Sequence, residues 1–209
     1  MDLPAMADAA AECGAKLLFL CRPNNPTGAV FPESALRSAM DRIPPSTLVV
    51  VDEAYREFDE TPFDSRSLAL DYPNVVISRT FSKIYGMAGF RLGYGIMRPE
   101  VLAPLWTARD PFSVNGLAMA AGLAALEDVD HVERTRALTR EGKTYLYAAF
   151  ERLGLEYVPS EANFILFDAG RPAAGVFDDL LRRGVLVRPC ASFGLPTHLR
   201  VTVGTPEEN

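Results

Sequence analysis

The hydrophobic pattern alternates between short apolar runs and segments of helical spacing. Leu17 to Cys21 is one continuous apolar run, and Leu48 to Val51 is a second that ends in Asp52-Glu53. Asn74 to Ser78 is a third, and Phe90 to Met97 a fourth, punctuated by glycine. Runs of this length without polar interruption predict buried strands of a parallel sheet. Between them, Asp2 to Gly14 and Pro32 to Ile43 have helical spacing, and Pro44-Pro45 ends the second. Strand alternating with helix predicts an α/β sheet with helices on its faces. From about Asn115 the chain turns helical as far as Leu153, first Ala-rich and then charged from Glu127 to Lys143. The remainder changes style. Leu155 to Val158, Phe164 to Phe167, Val185 to Val187 and Leu199 to Val203 read as strands, with Phe177 to Arg183 a helix among them. The expected organisation is therefore residues 1–127 as part of a large α/β domain and residues 128–209 as a small α+β domain.

Composition narrows the function classes. Of 209 residues, 48% are hydrophobic and 23% charged, a balance that supports a packed core rather than disorder. The net charge is -6 and no basic stripe is present, which argues against a nucleic-acid partner. Three cysteines, Cys13, Cys21 and Cys190, match no metal spacing and read as free thiols of a reducing, cytoplasmic setting. With only His131 and His198, no metal site is expected. The longest apolar stretch, Gly116 to Leu126, is short of the ~20 residues that cross a bilayer. The first residues lack a basic region followed by an apolar core, so neither a leader nor a membrane is expected.

Candidate chemistry follows the strands, because ligands of open α/β sheets collect at strand carboxyl ends. After the first strand comes Arg22-Pro23-Asn24-Asn25-Pro26-Thr27-Gly28, and after the second Asp52-Glu53-Ala54-Tyr55. After the third comes Arg79-Thr80-Phe81-Ser82-Lys83, followed by Gly86, Gly89 and Arg91. Each piece alone has an ordinary reading as a turn, a helix cap or a solvated lysine. Together, successive strand ends supply an amide, a carboxylate with a phenol, and a hydroxyl–lysine–arginine group. Pyridoxal-phosphate chemistry needs such a set. A lysine amine bonds the cofactor aldehyde. A carboxylate keeps the pyridine nitrogen protonated, donors serve the ring oxygen, and hydroxyls, an arginine and free N–H groups take the phosphate.

These residues closely resemble the fold-type I aminotransferases, and within them the histidinol-phosphate branch. The likeness rests on Pro23-Asn24-Asn25-Pro26-Thr27-Gly28, Asp52-Glu53-Ala54-Tyr55, and Thr80-Phe81-Ser82-Lys83 with Gly89-Phe90-Arg91-Leu92-Gly93-Tyr94. It also rests on Pro159-Ser160-Glu161-Ala162-Asn163-Phe164 and Leu199-Arg200-Val201-Thr202-Val203-Gly204-Thr205. The resemblance implies that Lys83 holds pyridoxal 5'-phosphate and later moves a proton at the substrate Cα. It implies that Asp52 pairs with the ring nitrogen, that Asn25 and Tyr55 bond the ring oxygen, and that Ser82 and Arg91 bind the phosphate beside Thr80. Arg200 would clamp the substrate's anionic group, with Arg188 in Leu186-Val187-Arg188-Pro189 a second candidate. The implied substrates are an amino donor such as histidinol phosphate and a 2-oxo acid acceptor such as 2-oxoglutarate. A decarboxylase resembling threonine-phosphate decarboxylase shares these motifs, and an inert fragment is a third reading. Arg22 stands where many relatives have Asn. Relatives carry a long segment before the equivalent of Asp2 and a last helix after the equivalent of Asn209. The resemblance thus implies the latter part of an aminotransferase, working as a homodimer or with a chain supplying the missing segment.

Overall fold

The computed structural model describes residues 1–61 and 63–209, which fall into two units. The first comprises Met1–Arg22, Val30–Arg56 and Glu60–Val129; the second comprises Pro23–Ala29, Glu57–Asp59 and Asp130–Asn209.

In the first unit, four strands form a sheet in sequential order: β1 (Leu17–Cys21), β2 (Leu48–Asp52), β3 (Val75–Thr80) and β4 (Gly93–Ile96). The first three are parallel, with Cys21 opposite Asp52 and Asp52 opposite Ser78, and β4 runs antiparallel to β3. One sheet face carries the core. Leu20, Val49, Val51, Val75 and Ile77 are buried there against Leu3 and Ala7 of α1 (Leu3–Glu12), Leu36, Ala39 and Met40 of α2 (Glu33–Met40), and Leu68 and Ala69 of α3 (Ser65–Asp71). Side-chain caps start two of these helices, α1 and α3. Asp2 Oδ1 accepts from Ala5 N–H at 3.1 Å, and Asp64 Oδ1 accepts from Arg66 N–H at 3.2 Å. Arg37 of α2 bonds Glu33 one turn earlier at 2.8 Å and Asp71 of α3 at 2.7 Å, which ties the two helices at the surface. Leu36 is completely buried, so truncation to Ala would cost about 2–5 kcal/mol.

The α/β expectation holds, with differences in detail. β1 is parallel as expected but not buried on both faces: Leu17 is 52% and Phe19 60% exposed, because alternate side chains of a strand point to opposite faces and only one face here is covered. The fourth strand is shorter than Phe90 to Met97, since Ala88–Phe90 form a 3₁₀ turn and Arg91 takes a left-handed backbone, φ 55°. Helix α3 and helix α4 (Pro99–Ala108) were not legible in the pattern. The long helix expected from Asn115 to Leu153 is two, α5 (Gly116–Glu127) and α6 (Val129–Leu153), because Asp128 departs from helical backbone.

In the second unit a four-stranded antiparallel sheet has the order β5 (Tyr157–Val158), β6 (Phe164–Asp168), β8 (His198–Thr202), β7 (Arg188–Pro189). Leu146 and Phe150 of α6 pack with Ile165, Phe167, Leu199 and Val203, and the Phe150 and Phe167 rings stack at 4.8 Å. Helix α7 (Ala173–Arg182) also lies in this unit. The strand expected at Val185 to Val187 is displaced to Arg188–Pro189. Gly184, at φ 80°, turns the chain so that Val185 N–H closes on Leu180 C=O at 3.0 Å, and these residues finish α7 instead of entering the sheet. Among the described residues, no helix is long and apolar enough to cross a membrane.

Candidate active site

The first unit gathers six of the expected residues at the carboxyl ends of β2 and β3. Asp52 is the last residue of β2 and is half-buried. Its Oδ1 accepts from Ala54 N–H at 2.9 Å, its carbonyl accepts from Arg22 N–H at 2.9 Å, and the next amide, Glu53 N–H, donates to Ser78 C=O at 2.8 Å. The strand end is thereby pinned on both sides. The Cys21 thiol opposite is pushed up, first by burial and then by the negative charge of Asp52. Tyr55 is buried, and Lys83 Nζ lies 5.1 Å from its ring centroid.

The Thr80–Arg91 segment is a closed turn. Thr80 Oγ1 accepts from Ser82 N–H at 3.0 Å and donates to Leu92 C=O at 3.4 Å. Phe81 N–H reaches Leu92 C=O at 3.1 Å, and Gly86 N–H reaches Lys83 C=O at 2.9 Å. The Thr80 hydroxyl is thus spent on shaping the turn, while among the described residues of this unit Ser82 Oγ and Lys83 Nζ make no hydrogen bond. Arg91 is exposed, and its Nη1 donates to Ala88 C=O at 2.8 Å.

Sequence reasoning singled out neither Glu53 nor Arg79. Glu53 is 1% exposed and forms ion pairs with Arg79 at 2.8 Å and Arg56 at 3.5 Å. Arg79 also bonds Ser65 Oγ at 3.1 Å and Tyr94 OH at 3.4 Å. Burial works against the guanidinium charge, but the bonds to Tyr94 and Glu53 outweigh it and hold Arg79 above its ordinary value. The signal was present as alternation: Val49-Val51-Glu53 and Val75-Ile77-Arg79 are the same face of adjacent strands.

The second unit holds Asn25, Arg200 and Arg188. Arg200, in β8, donates from Nη1 to Asn25 Oδ1 at 2.5 Å, and its guanidinium lies 4.8 Å from the Phe164 ring centroid. Its Nε is buried with no hydrogen-bond partner. Arg188 stands opposite Arg200 in the β7–β8 pairing but is exposed. Both line an open cleft of about 350 Å³ with Phe177, Leu186, Pro189 and Thr202. An orphaned buried donor beside a second guanidinium suits an anionic ligand. The turn bearing Asn25 is fixed from below. Gly28, at φ 71°, lies so close to Ser160 that a Cβ there would sit 2.0 Å from Ser160 Oγ, and Gly28 C=O accepts from Glu161 N–H at 2.8 Å. Ser160 is held by Lys143 Nζ on its carbonyl at 2.7 Å and donates its N–H to Tyr147 OH at 2.9 Å. The Asn25-Pro26 peptide is cis.

Among the described residues, no cluster of His, Cys, Asp and Glu could hold a metal. The family model for aminotransferase class I and II matches residues 1–209. The histidinol-phosphate aminotransferase of Symbiobacterium thermophilum is 86% identical over 209 residues, which is 100% of this chain and 58% of that protein. The chain therefore spans little more than half the length of that curated relative. Among solved structures, the histidinol-phosphate aminotransferase of Sinorhizobium meliloti in complex with pyridoxal-5'-phosphate superposes with a TM-score of 0.93 at 29% identity, over 99% of this chain and 58% of that one. L-threonine-O-3-phosphate decarboxylase of Porphyromonas gingivalis superposes at 0.81 and 27% identity, over 92% of this chain and 61% of that one. With the whole sequence inside the family model and the strand-end residues in place, the chain belongs to the aminotransferase class I and II family.

Proposed function

We propose that this chain is the part of a pyridoxal-phosphate aminotransferase that carries the cofactor lysine, acting on histidinol phosphate or a related amino acid with a 2-oxo acid such as 2-oxoglutarate as acceptor. The observation that carries it is the donor set at the ends of β2 and β3: a carboxylate fixed by Ala54 N–H and a lysine amine over a buried tyrosine ring. That set fits the cofactor chemically. The cofactor, when bound, supplies an aldehyde for covalent attachment and a ring that accepts electrons from the substrate Cα.

The chain's own residues divide the remaining work. Lys83 bonds the cofactor and afterwards carries a proton at the substrate Cα. Asp52 keeps the ring nitrogen protonated. Tyr55 serves the ring oxygen, a role that the resemblance also gives Asn25. Ser82 and Arg91 bind the phosphate, and Thr80 contributes by holding the Ser82 amide. Arg200, with Arg188 beside it, takes the substrate's anionic group. Residues 1–127 then correspond to the large cofactor-binding domain and residues 128–209 to the small one. The 86% identity to a histidinol-phosphate aminotransferase, over 58% of that protein, supports this substrate class.

The likeness to threonine-phosphate decarboxylase favours a second reading, decarboxylation on the same residues. Incubating the protein with pyridoxal phosphate, in one reaction with histidinol phosphate and 2-oxoglutarate and in a second with threonine phosphate, separates the two. Glutamate formed in step with an oxo product supports amino-group transfer. Release of CO₂ from an amino-acid phosphate supports decarboxylation, and absence of both supports a chain that does not turn over alone.

A further inference from the structure

Glu53 and Arg79 extend the two apolar rows of the sheet core by one position each, Val49-Val51-Glu53 on β2 and Val75-Ile77-Arg79 on β3. The core pattern calls for apolar side chains at both positions. Instead a carboxylate at 1% exposure faces a guanidinium at 12%, N to O 2.8 Å. A buried ion pair adds little to stability compared with an apolar pair of similar volume, because both charges lose water. What such a pair supplies is a fixed geometry. Here the geometry has three anchors: Arg79 reaches Glu53 beyond β2, Tyr94 of β4 and Ser65 of α3. Each partner is also one residue from the chemistry. Glu53 follows Asp52, and its amide continues the ladder to Ser78. Arg79 precedes Thr80, whose Oγ1 receives the Ser82 amide next to Lys83.

We propose that Glu53 and Arg79 are a positioning pair, which acts from the core face of the sheet to set the ends of β2 and β3 and so holds Asp52 and Lys83 in register. The proposal rests on the functional reading above, in that Asp52 and Lys83 are the groups worth holding. It accounts for a charged pair that the core does not need and that the reaction does not touch.

The test uses amide hydrogen exchange of the cofactor-free protein, together with the dissociation constant for pyridoxal phosphate. Two variants are compared with the wild type: E53Q, which removes the charge, and E53M/R79M, which replaces the pair by apolar volume. Both are expected to speed exchange at Ala54 and Ser82 by about tenfold or more, and in E53M/R79M the amides of Val49 to Val51 and Val75 to Ile77 keep wild-type protection. E53M/R79M should melt no earlier than the wild type and yet release the cofactor about tenfold more readily. If E53Q does not fold, the double variant decides. Wild-type exchange at Ala54 and Ser82 and unchanged cofactor retention in E53M/R79M would overturn the proposal and leave the pair as core filling. A wild-type protein that binds no pyridoxal phosphate would overturn the functional reading instead, and the exchange comparison would still decide whether the pair sets the strand ends.

Discussion

Among the described residues, the Asp52 carboxylate takes one backbone hydrogen bond, from Ala54 to Oδ1, while the main chain on either side is pinned to Arg22 and Ser78. That arrangement fits a carboxylate whose task is electrostatic. Asp52→Ala is expected to keep measurable pyridoxal phosphate binding but to lower amino-group transfer by about two to three orders of magnitude. Asp52→Glu should lose less. Steady-state assay of the oxo product, with the cofactor absorbance followed in parallel, checks both. The placement of Asp52 and of the Thr80–Arg91 turn at strand ends was legible in the sequence, because each closes or follows an apolar run. Thr80 was legible as a neighbour, but its hydroxyl is used within the turn. Glu53 and Arg79 escaped notice for a physical reason. An apolar run that ends in a charge reads as a strand leaving the core, and only three-dimensional pairing shows that both charges stay inside. Removing one partner of such a pair costs about 3–5 kcal/mol because the other is left buried alone.

At the level of elements, the pattern located β1, β2 and β3 closely, since apolar runs bounded by turn residues carry their own limits. It did not show that β4 runs antiparallel, because direction depends on how the chain returns through the Thr80–Arg91 turn. It also missed the division of the long helix at Asp128 and the use of Gly184 and Val185 to close α7. Those outcomes depend on capping contacts that periodicity does not record. The turn after β6 shows one such contact with a pH consequence. Asp168 Oδ1 accepts from Gly170 N–H at 2.9 Å; that bond, a Thr197 hydrogen bond and the nearby His198 hold its carboxyl below the ordinary value. The folded pKa lies below the unfolded one, so the contribution is fully present above the unfolded value near ~3.9 and is lost as pH falls through the folded value. Thermal melts from about pH 5 down to pH 3 should therefore fall less steeply for Asp168→Asn than for the wild type. Equal slopes would show that this cap does not contribute.

At the scale of the whole molecule, the first unit exposes large apolar side chains in number. Phe112 is 98% exposed, Leu117 78% and Leu123 68%, and Leu17 and Phe19 stand on the uncovered face of β1. Apolar surface of this extent marks an interaction site or a route to aggregation. We expect this surface to be covered by a second copy of the chain. Light scattering behind size-exclusion chromatography should give at least twice the 22.8 kDa chain mass. A monodisperse monomer with a cooperative melt would contradict that expectation without touching the chemistry. The chemistry itself rests on Lys83 as the residue that holds the cofactor, and its most direct test is to incubate the protein with pyridoxal phosphate, reduce with borohydride and map the product by mass spectrometry. The account predicts one pyridoxyl group, on Lys83, absent from Lys83→Ala; an adduct on Lys16 or Lys143, or none in the wild type, would contradict it.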